Sequence, residues 1–312
     1  MRTEMAKADM KKVKKRSLLG EMKKYSACYA MVTPFFVLFG VFVILPIIIA
    51  IGFSFTDFNM LQLPSFVGFQ NYLTLILDDD VFLTAVTNTL IFAVITGPVS
   101  YFLCLLFAWL INELPRTLRA VMTFIFYAPS ISGMMYVIWT YIFSGDMYGL
   151  ANHLLISMNM IREPIQWLTD KDTLLAIIIL VQIWMSLGTS FLAFIAGLQN
   201  VDRSLYEAAA VDGIRNRCQE LIYITLPSMG PQLLFSAVMQ ISAAFSVSSV
   251  CMTLAGFPST DNAALTVVTH AYDYGMIRFE MGYACAITTV LFVVMFAVNN
   301  FIQKIITRAS AT

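Results

Sequence analysis

The chain has 312 residues, 59% of them hydrophobic and only 12% charged. Soluble domains carry about a quarter charged residues, so this composition excludes the soluble globular class and points to a polytopic membrane protein. Nineteen basic residues balance nineteen acidic ones, which removes the global field that a nucleic-acid binder needs.

Residues 1–29 read as a basic cytoplasmic tail holding nine of the Lys and Arg. The apolar run that comes next, 31–55, is too long for the core of a secretory signal, and no small-x-small cleavage site comes after it. It is therefore expected to be a retained first span, with Pro34 and Pro46 as kink points. Further runs at 82–110, 120–143, 174–198, 232–254 and 281–306 each exceed the ~20 residues needed to cross the hydrocarbon. The expected fold is all-α integral membrane, six transmembrane helices in one domain over 30–312. Placing the N-terminus inside puts sixteen of the nineteen basic residues on the inner side. Only Arg162, Lys171 and Arg278 fall outside. That bias places both termini and the 199–231 loop in the cytoplasm.

The 199–231 loop is the longest polar interruption in the second half of the chain. Ser204-Leu205-Tyr206-Glu207 fits a capping box, with the Ser204 hydroxyl taking the Glu207 N–H and the Glu207 side chain reaching back. Ala208, Ala209 and Ala210 favour helix and leave a face with little bulk. Asp212-Gly213 comes next, where a left-handed helix cap needs glycine. Leu221, Ile222, Ile224 and Leu226 form a second apolar patch, which Pro227 is expected to stop. The pattern predicts helix, turn, helix.

Glu207-Ala208-Ala209, Gly213 and Ile224-Thr225-Leu226-Pro227 resemble the signature loop of the permease subunits of binding-protein-dependent ABC importers. One residue more than that family's spacing separates Gly213 from Ile224, and an added residue in a helix rotates the downstream chain by about 100°. Other stretches extend the resemblance over 31–306: Phe66-Val67-Gly68-Phe69-Gln70-Asn71-Tyr72, Asn88-Thr89-Leu90, Ala128-Pro129, Asp146-Met147-Tyr148-Gly149-Leu150 and Phe279-Glu280-Met281-Gly282-Tyr283-Ala284. In that order they are similar to the carbohydrate-uptake branch, with its maltose-type and glycerol-3-phosphate-type permeases. The resemblance implies that Ser204, Glu207, Ala208, Ala209, Asp212, Gly213, Leu226 and Pro227 couple the chain to an ATPase. It implies four kinds of neighbour: a second homologous permease, a cytoplasmic ABC ATPase dimer carrying ATP and Mg, an extracytoplasmic solute-binding protein, and membrane lipid. Glu113, in the other main inner loop, is expected to matter much less to coupling.

No G-x-x-x-x-G-K-[ST] occurs in the chain, so it has no recognisable means of hydrolysing ATP and is read as a transport subunit, not an enzyme, without a cofactor of its own. No carboxylate sits within a span, which argues against a proton-coupled carrier. The five cysteines show no metal or redox spacing, and His153 and His270 read as isolated loop residues. Uncharged polar residues inside the spans are either a solute path or interhelical glue: Gln182 in span 4, and Gln240, Ser242 and Ser246 in span 5, with Ser242 and Ser246 one turn apart. Trp184 offers either a stacking surface or packing. The reading is an ATP-driven import permease for a sugar or oligosaccharide in a prokaryotic cytoplasmic membrane. The alternatives are a permease for glycerol phosphates or another polar solute, an ATP-independent six-helix carrier, and a scaffold without transport.

Overall fold

The structure is a computed structural model that describes residues 25–310. The basic residues of the expected tail lie outside the described residues. The chain divides into two units, one up to Gly52 and one from Phe53 onward. The first unit is built on helix α1, Ser26–Phe53. A π-turn at Gly40–Ile44 widens α1 just before Pro46. Proline has no N–H for the carbonyl four residues back, and a wide turn there opens the ladder without a sharp break.

Among the described residues the regular structure of the second unit is helical, apart from one isolated bridge between Thr56 and Phe66. Its helices are α2 (Gln70–Leu77), α3 (Asp80–Asn112), α4 (Arg116–Ile131), α5 (Met135–Ile142), α6 (Leu150–Ser157), α7 (Lys171–Met185) and α8 (Thr189–Asn200). Next come α9 (Arg203–Val211) and α10, which begins at Arg217–Glu220, widens in a π-turn at Leu221–Thr225 and closes over Leu226–Ser228. The chain ends in α11 (Gly230–Phe245), α12 (Ser249–Ala255), α13 (Val267–Tyr272) and α14 (Met281–Ser310).

Helix α3 is the central post. Its 33 residues run about 50 Å. Cys104 and Ala108 of α3 pack with Phe191, Phe194 and Leu198 of α8 and with Met229. Phe92 packs on Ile178 and Val181 of α7 and Cys251 of α12. Phe82 and Ala85 meet Val267 of α13 and Tyr283 and Ile287 of α14. Small residues meet where α3 crosses α11: Gly97 faces Ala244, whose methyl is 3.8 Å from where a Cβ would stand, an ordinary contact distance. Close packing of this kind, not exclusion of water, drives helix association in lipid.

The short stretches between spans act as clamps on backbone carbonyls. Asn71 donates to Ser54 O and Thr56 O, both at 2.9 Å. Asn88 donates to Asn262 O (3.1 Å) and Leu265 O (2.9 Å), and Thr89 Oγ1 accepts from the Val267 N–H. Asn152, fully buried, donates to the carbonyls of Ser144, Asp146 and Ile165 and accepts from the Ile165 N–H and Trp167 Nε1. One amide thereby folds the 144–167 segment around itself. Buried carbonyls must find donors; the amide has two N–H groups, so one of them is shared between two of the three carbonyls.

At the α3 end that begins with Asp79, a buried polar cluster joins three elements. Asp79 caps α3 by accepting from the Phe82 N–H. Its other oxygen is 2.8 Å from His270 Nε2 on α13 and accepts from the Tyr283 hydroxyl on α14 at 2.9 Å. His270, expected as a loop residue, is 2% exposed. Burial pushes the Asp79 carboxyl up, but the bonds from His270, the Phe82 N–H and Tyr283 outweigh it and hold the group below the usual carboxylate range.

Candidate functional site: the 199–231 loop and three broken spans

The N-cap of α9 lies two residues before the Ser204 that the sequence predicts, and its chemistry differs. Asp202 is the N-cap, and its carboxylate accepts the Ser204 N–H at 3.0 Å. Ser204 is therefore inside the first turn, and the Ser204–Glu207 capping box does not form. The acid outcompetes the hydroxyl because a carboxylate accepts more strongly and also complements the helix dipole. The Ser204 bonds hold the exposed Asp202 carboxyl below its ordinary value.

The end of α9 matches expectation. Gly213 has φ +95°. The Ile214 N–H bonds Ala209 O at 3.0 Å and the Gly213 N–H bonds Ala210 O at 3.4 Å, which together form a Schellman turn. Glu207, Ala208 and Asp212 are exposed, whereas Ala209 faces inward and is buried. Of the alanines expected to form the smooth face, Ala208 and Ala210 are the exposed ones. With Leu205 and Val211, 45% and 88% exposed, they give an otherwise polar loop an apolar outer surface.

Helix α10 holds α9 from behind. Tyr206 Oη lies 2.8 Å from Thr225 Oγ1, which donates to Glu220 O. Ile224 and Thr225 are buried, Leu226 is half-buried and Pro227 exposed. Pro227 does not stop the helix. It comes after the π-turn, as Pro46 does in α1, and the chain continues through Ser228 into α11. The irregular residues 214–216 and the π-turn are two places where one added residue can be absorbed. Either spares the downstream helix the 100° rotation.

Glu113 is not independent of this loop. Arg217 lies 3.5 Å from Glu113 and 2.8 Å from Glu220, so the two polar loops at this end are tied together. Sequence spacing carries no sign of the contact, since the partners are about a hundred residues apart.

Three of the expected spans are broken. Helices α4 and α5 meet at 86°. The span of α7 and α8 breaks at 186–188, and that of α11 and α12 at 246–248. Non-helical backbone at membrane depth is tolerated where protein covers it or a watery cavity borders it. Two of the breaks are partly covered: Gln240 Nε2 donates to Ser186 O at 3.2 Å, Thr266 Oγ1 to Val247 O at 2.8 Å. A Cβ on Gly188 would lie 2.9 Å from the Ser130 Cβ, so the breaks of spans 3 and 4 adjoin. Ser132, Thr189, Ser246, Ser249 and Thr253 are exposed, a polar lining on otherwise apolar spans. Ser246 ends α11 at the break, and Ser242, one turn earlier, is half-buried. Gln240 is buried against the Ser186 carbonyl and Cys104. Gln182 is half-buried on α7, and Trp184 packs edge-on against Trp139 at 5.4 Å. Ser-Gly-rich patches inside apolar runs were the available signal for these breaks.

Residues 106–311 match the family described as binding-protein-dependent transport system inner membrane component. The chain is similar to the arabinooligosaccharides transport system permease protein of Bacillus subtilis, with 32% identity over 284 residues, 90% of this chain and 89% of that one. It is 29% identical over 280 residues to the lactose transport system permease protein of Rhizobium radiobacter, covering 88% and 92%. Among solved structures it resembles a bacterial ABC transporter involved in the import of the acidic polysaccharide alginate, with TM-score 0.77 and 25% identity over 93% of this chain and 98% of that one.

Proposed function

The chain belongs to the family of inner membrane components of binding-protein-dependent transport systems, and on that premise we propose that it imports a sugar or oligosaccharide. In this reading it works with a second permease of the same kind, a cytoplasmic ATPase dimer that holds ATP and Mg, and an extracytoplasmic binding protein that delivers the solute. Its relatives among arabinooligosaccharide and lactose permeases support the solute class. Helix α9 is the contact with the ATPase. The observation that carries this is its construction: a nine-residue helix fixed at one end by Asp202, at the other by the Gly213 turn, and from behind by Tyr206. Its apolar outer surface of Leu205, Ala208 and Val211 is exposed among the described residues. Such a rigid surface transmits a push from a partner without absorbing it. Glu207, exposed on the same helix, can pair with a basic group across the contact.

The solute path runs along the broken spans. The exposed hydroxyls of Ser132, Thr189, Ser246 and Ser249, with Ser242 at the margin, offer donors and acceptors that match sugar hydroxyls. Discontinuous helices are where transporters place binding sites. These exposed hydroxyls face the second permease.

The test uses the reconstituted transporter with its binding protein. Gly213→Pro and Glu207→Lys leave the spans untouched, so the protein should insert and assemble. Hydrolysis should continue without uptake, or ATPase association should weaken. Near-normal coupled uptake in both variants would reject α9 as the coupling element.

A further inference from the structure

Between the two polar loops at the α9 end lies a cavity of about 600 Å³. Four arginines line it, Arg116, Arg119, Arg203 and Arg217, against two acids, Glu113 and Glu220. Arg217 is engaged by both acids. Arg119 donates to Asn112 Oδ1 at 2.9 Å. Arg116 and Arg203 form no ion pair with any described residue, so two guanidinium groups face the cavity without a carboxylate. Arg116 also opens α4, whose N-cap is Pro115 and whose first turn has no side-chain cap. The free N–H groups there add positive potential to the same wall.

We propose that this cavity is an anion site for a phosphate group, carried either on a lipid headgroup or as a free phosphate. The arithmetic of the lining calls for an anion, with an excess of two positive charges. The guanidinium fork selects phosphate, which it can hold through two parallel bonds. The volume accommodates a phosphate ester with its glycerol stem. Trp109 lines the cavity near the end of α3, and aromatic rings of this kind settle at headgroup depth in a bilayer. Because one wall is α4 and the other is the foot of α9, an anion seated here bridges a span to the helix proposed above as the ATPase contact. The anion site itself does not depend on that proposal, since its lining does not include Leu205, Ala208 or Val211.

The experiment uses the assembled transporter in nanodiscs. One arm compares discs of phosphatidylcholine alone with discs containing phosphatidylglycerol, and counts retained phosphatidylglycerol by native mass spectrometry. The other arm titrates inorganic phosphate into phosphatidylcholine discs at constant ionic strength and follows thermal unfolding. A lipid source gives a retained adduct, a free source gives stabilisation by phosphate, and either supports the site. In both cases Arg116→Gln with Arg203→Gln should weaken binding by about tenfold or more, the scale of one charge-assisted hydrogen bond. Arg116→Lys with Arg203→Lys keeps the charge and the topology signal but loses the fork, and should fall between. Arg215→Gln, in the same loop but outside the lining, should bind as the wild type does. Equal binding of both anions by the wild type and the Gln pair would overturn the proposal, as would an equal loss in Arg215→Gln. Loss of anion binding with intact coupling, or the reverse in Gly213→Pro, separates this site from the coupling reading.

Discussion

Two glycines show how one residue type serves different ends. Gly213 has open space where a Cβ would go, and only its positive φ demands glycine. Gly213→Ala should cost about 1 kcal/mol. Gly282 is a matter of contact: a Cβ there would fall on the Thr56 carbonyl, and the Gly282 N–H bonds Phe58 O at 2.8 Å. Gly282→Ala must displace backbone, so its thermal midpoint should drop well below that of Gly213→Ala. The buried Asp79–His270 pair gives a pH-dependent case. The native fold holds the Asp79 pKa below its unfolded value. Its contribution is therefore complete above the ordinary carboxylate range and is lost as pH falls through the depressed native value. His270→Gln should cost about 1–3 kcal/mol near neutral pH, because it strips a buried carboxylate of one of its hydrogen-bond partners. That deficit should shrink in acid, and adding Asp79→Asn should recover part of it. A deficit that stays constant down to pH ~3, below the ordinary carboxylate range, would show that His270 acts through packing alone.

At the scale of elements, the six apolar runs and the helix-turn-helix of the 199–231 loop were legible because periodicity, length and capping residues are local signals. So was the need for glycine at 213. The features that were not legible depend on distant partners. Gln240 reads the same in sequence whether it borders a path or clamps the Ser186 carbonyl across helices. Pro227 reads as a stop unless the π-turn before it is known. The acid at 202 won the cap over Ser204 by a difference in acceptor strength that spacing alone does not reveal. The pairing of Tyr206 with Thr225 belongs to the same class and makes a prediction about α9. Tyr206→Phe removes one bond while Thr225 keeps its bond to Glu220 O, so global stability should fall by only about 1 kcal/mol. The effect should be local: hydrogen exchange should quicken in Arg203–Val211 and stay unchanged in α3. Uniform quickening across both helices would mean that the bond is part of the global core, not a brace for α9.

For the molecule as a whole, α3 sets the geometry. The Asp79 cluster sits at one end of its 33 residues and the Glu113–Arg217 contact at the other, about 50 Å apart at the rise of an α-helix. That length exceeds the roughly 30 Å hydrocarbon core, so the two ends are predicted to lie on opposite sides of the membrane. Charge decides which side is which. The end with the 199–231 loop carries Arg116, Arg119, Arg203, Arg215 and Arg217, and the C-terminal turn adds Arg308. Among the described residues the other end carries only Arg162, Lys171 and Arg278, and Arg278 is held by Asp273 at 2.6 Å and lies over the Tyr274 ring. Basic residues near span ends resist translocation, so the α9 end is predicted to face the cytoplasm. An ATPase requires that orientation, because its ATP is there. Reporter fusions at Glu113, Gln219 and the C-terminus should read inside, and those at Asp170 and Asp261 outside. The bent α4–α5 pair makes Asp170 the informative position. If that pair crosses the membrane as one broken span, Asp170 is outside and the two termini share a side. If it turns back without crossing, Asp170 reads inside while Glu113 does as well. An inside signal at Asp170 would therefore reduce the chain to five crossings and separate the C-terminus from the N-terminus. It would also move the 199–231 loop away from any cytoplasmic ATPase.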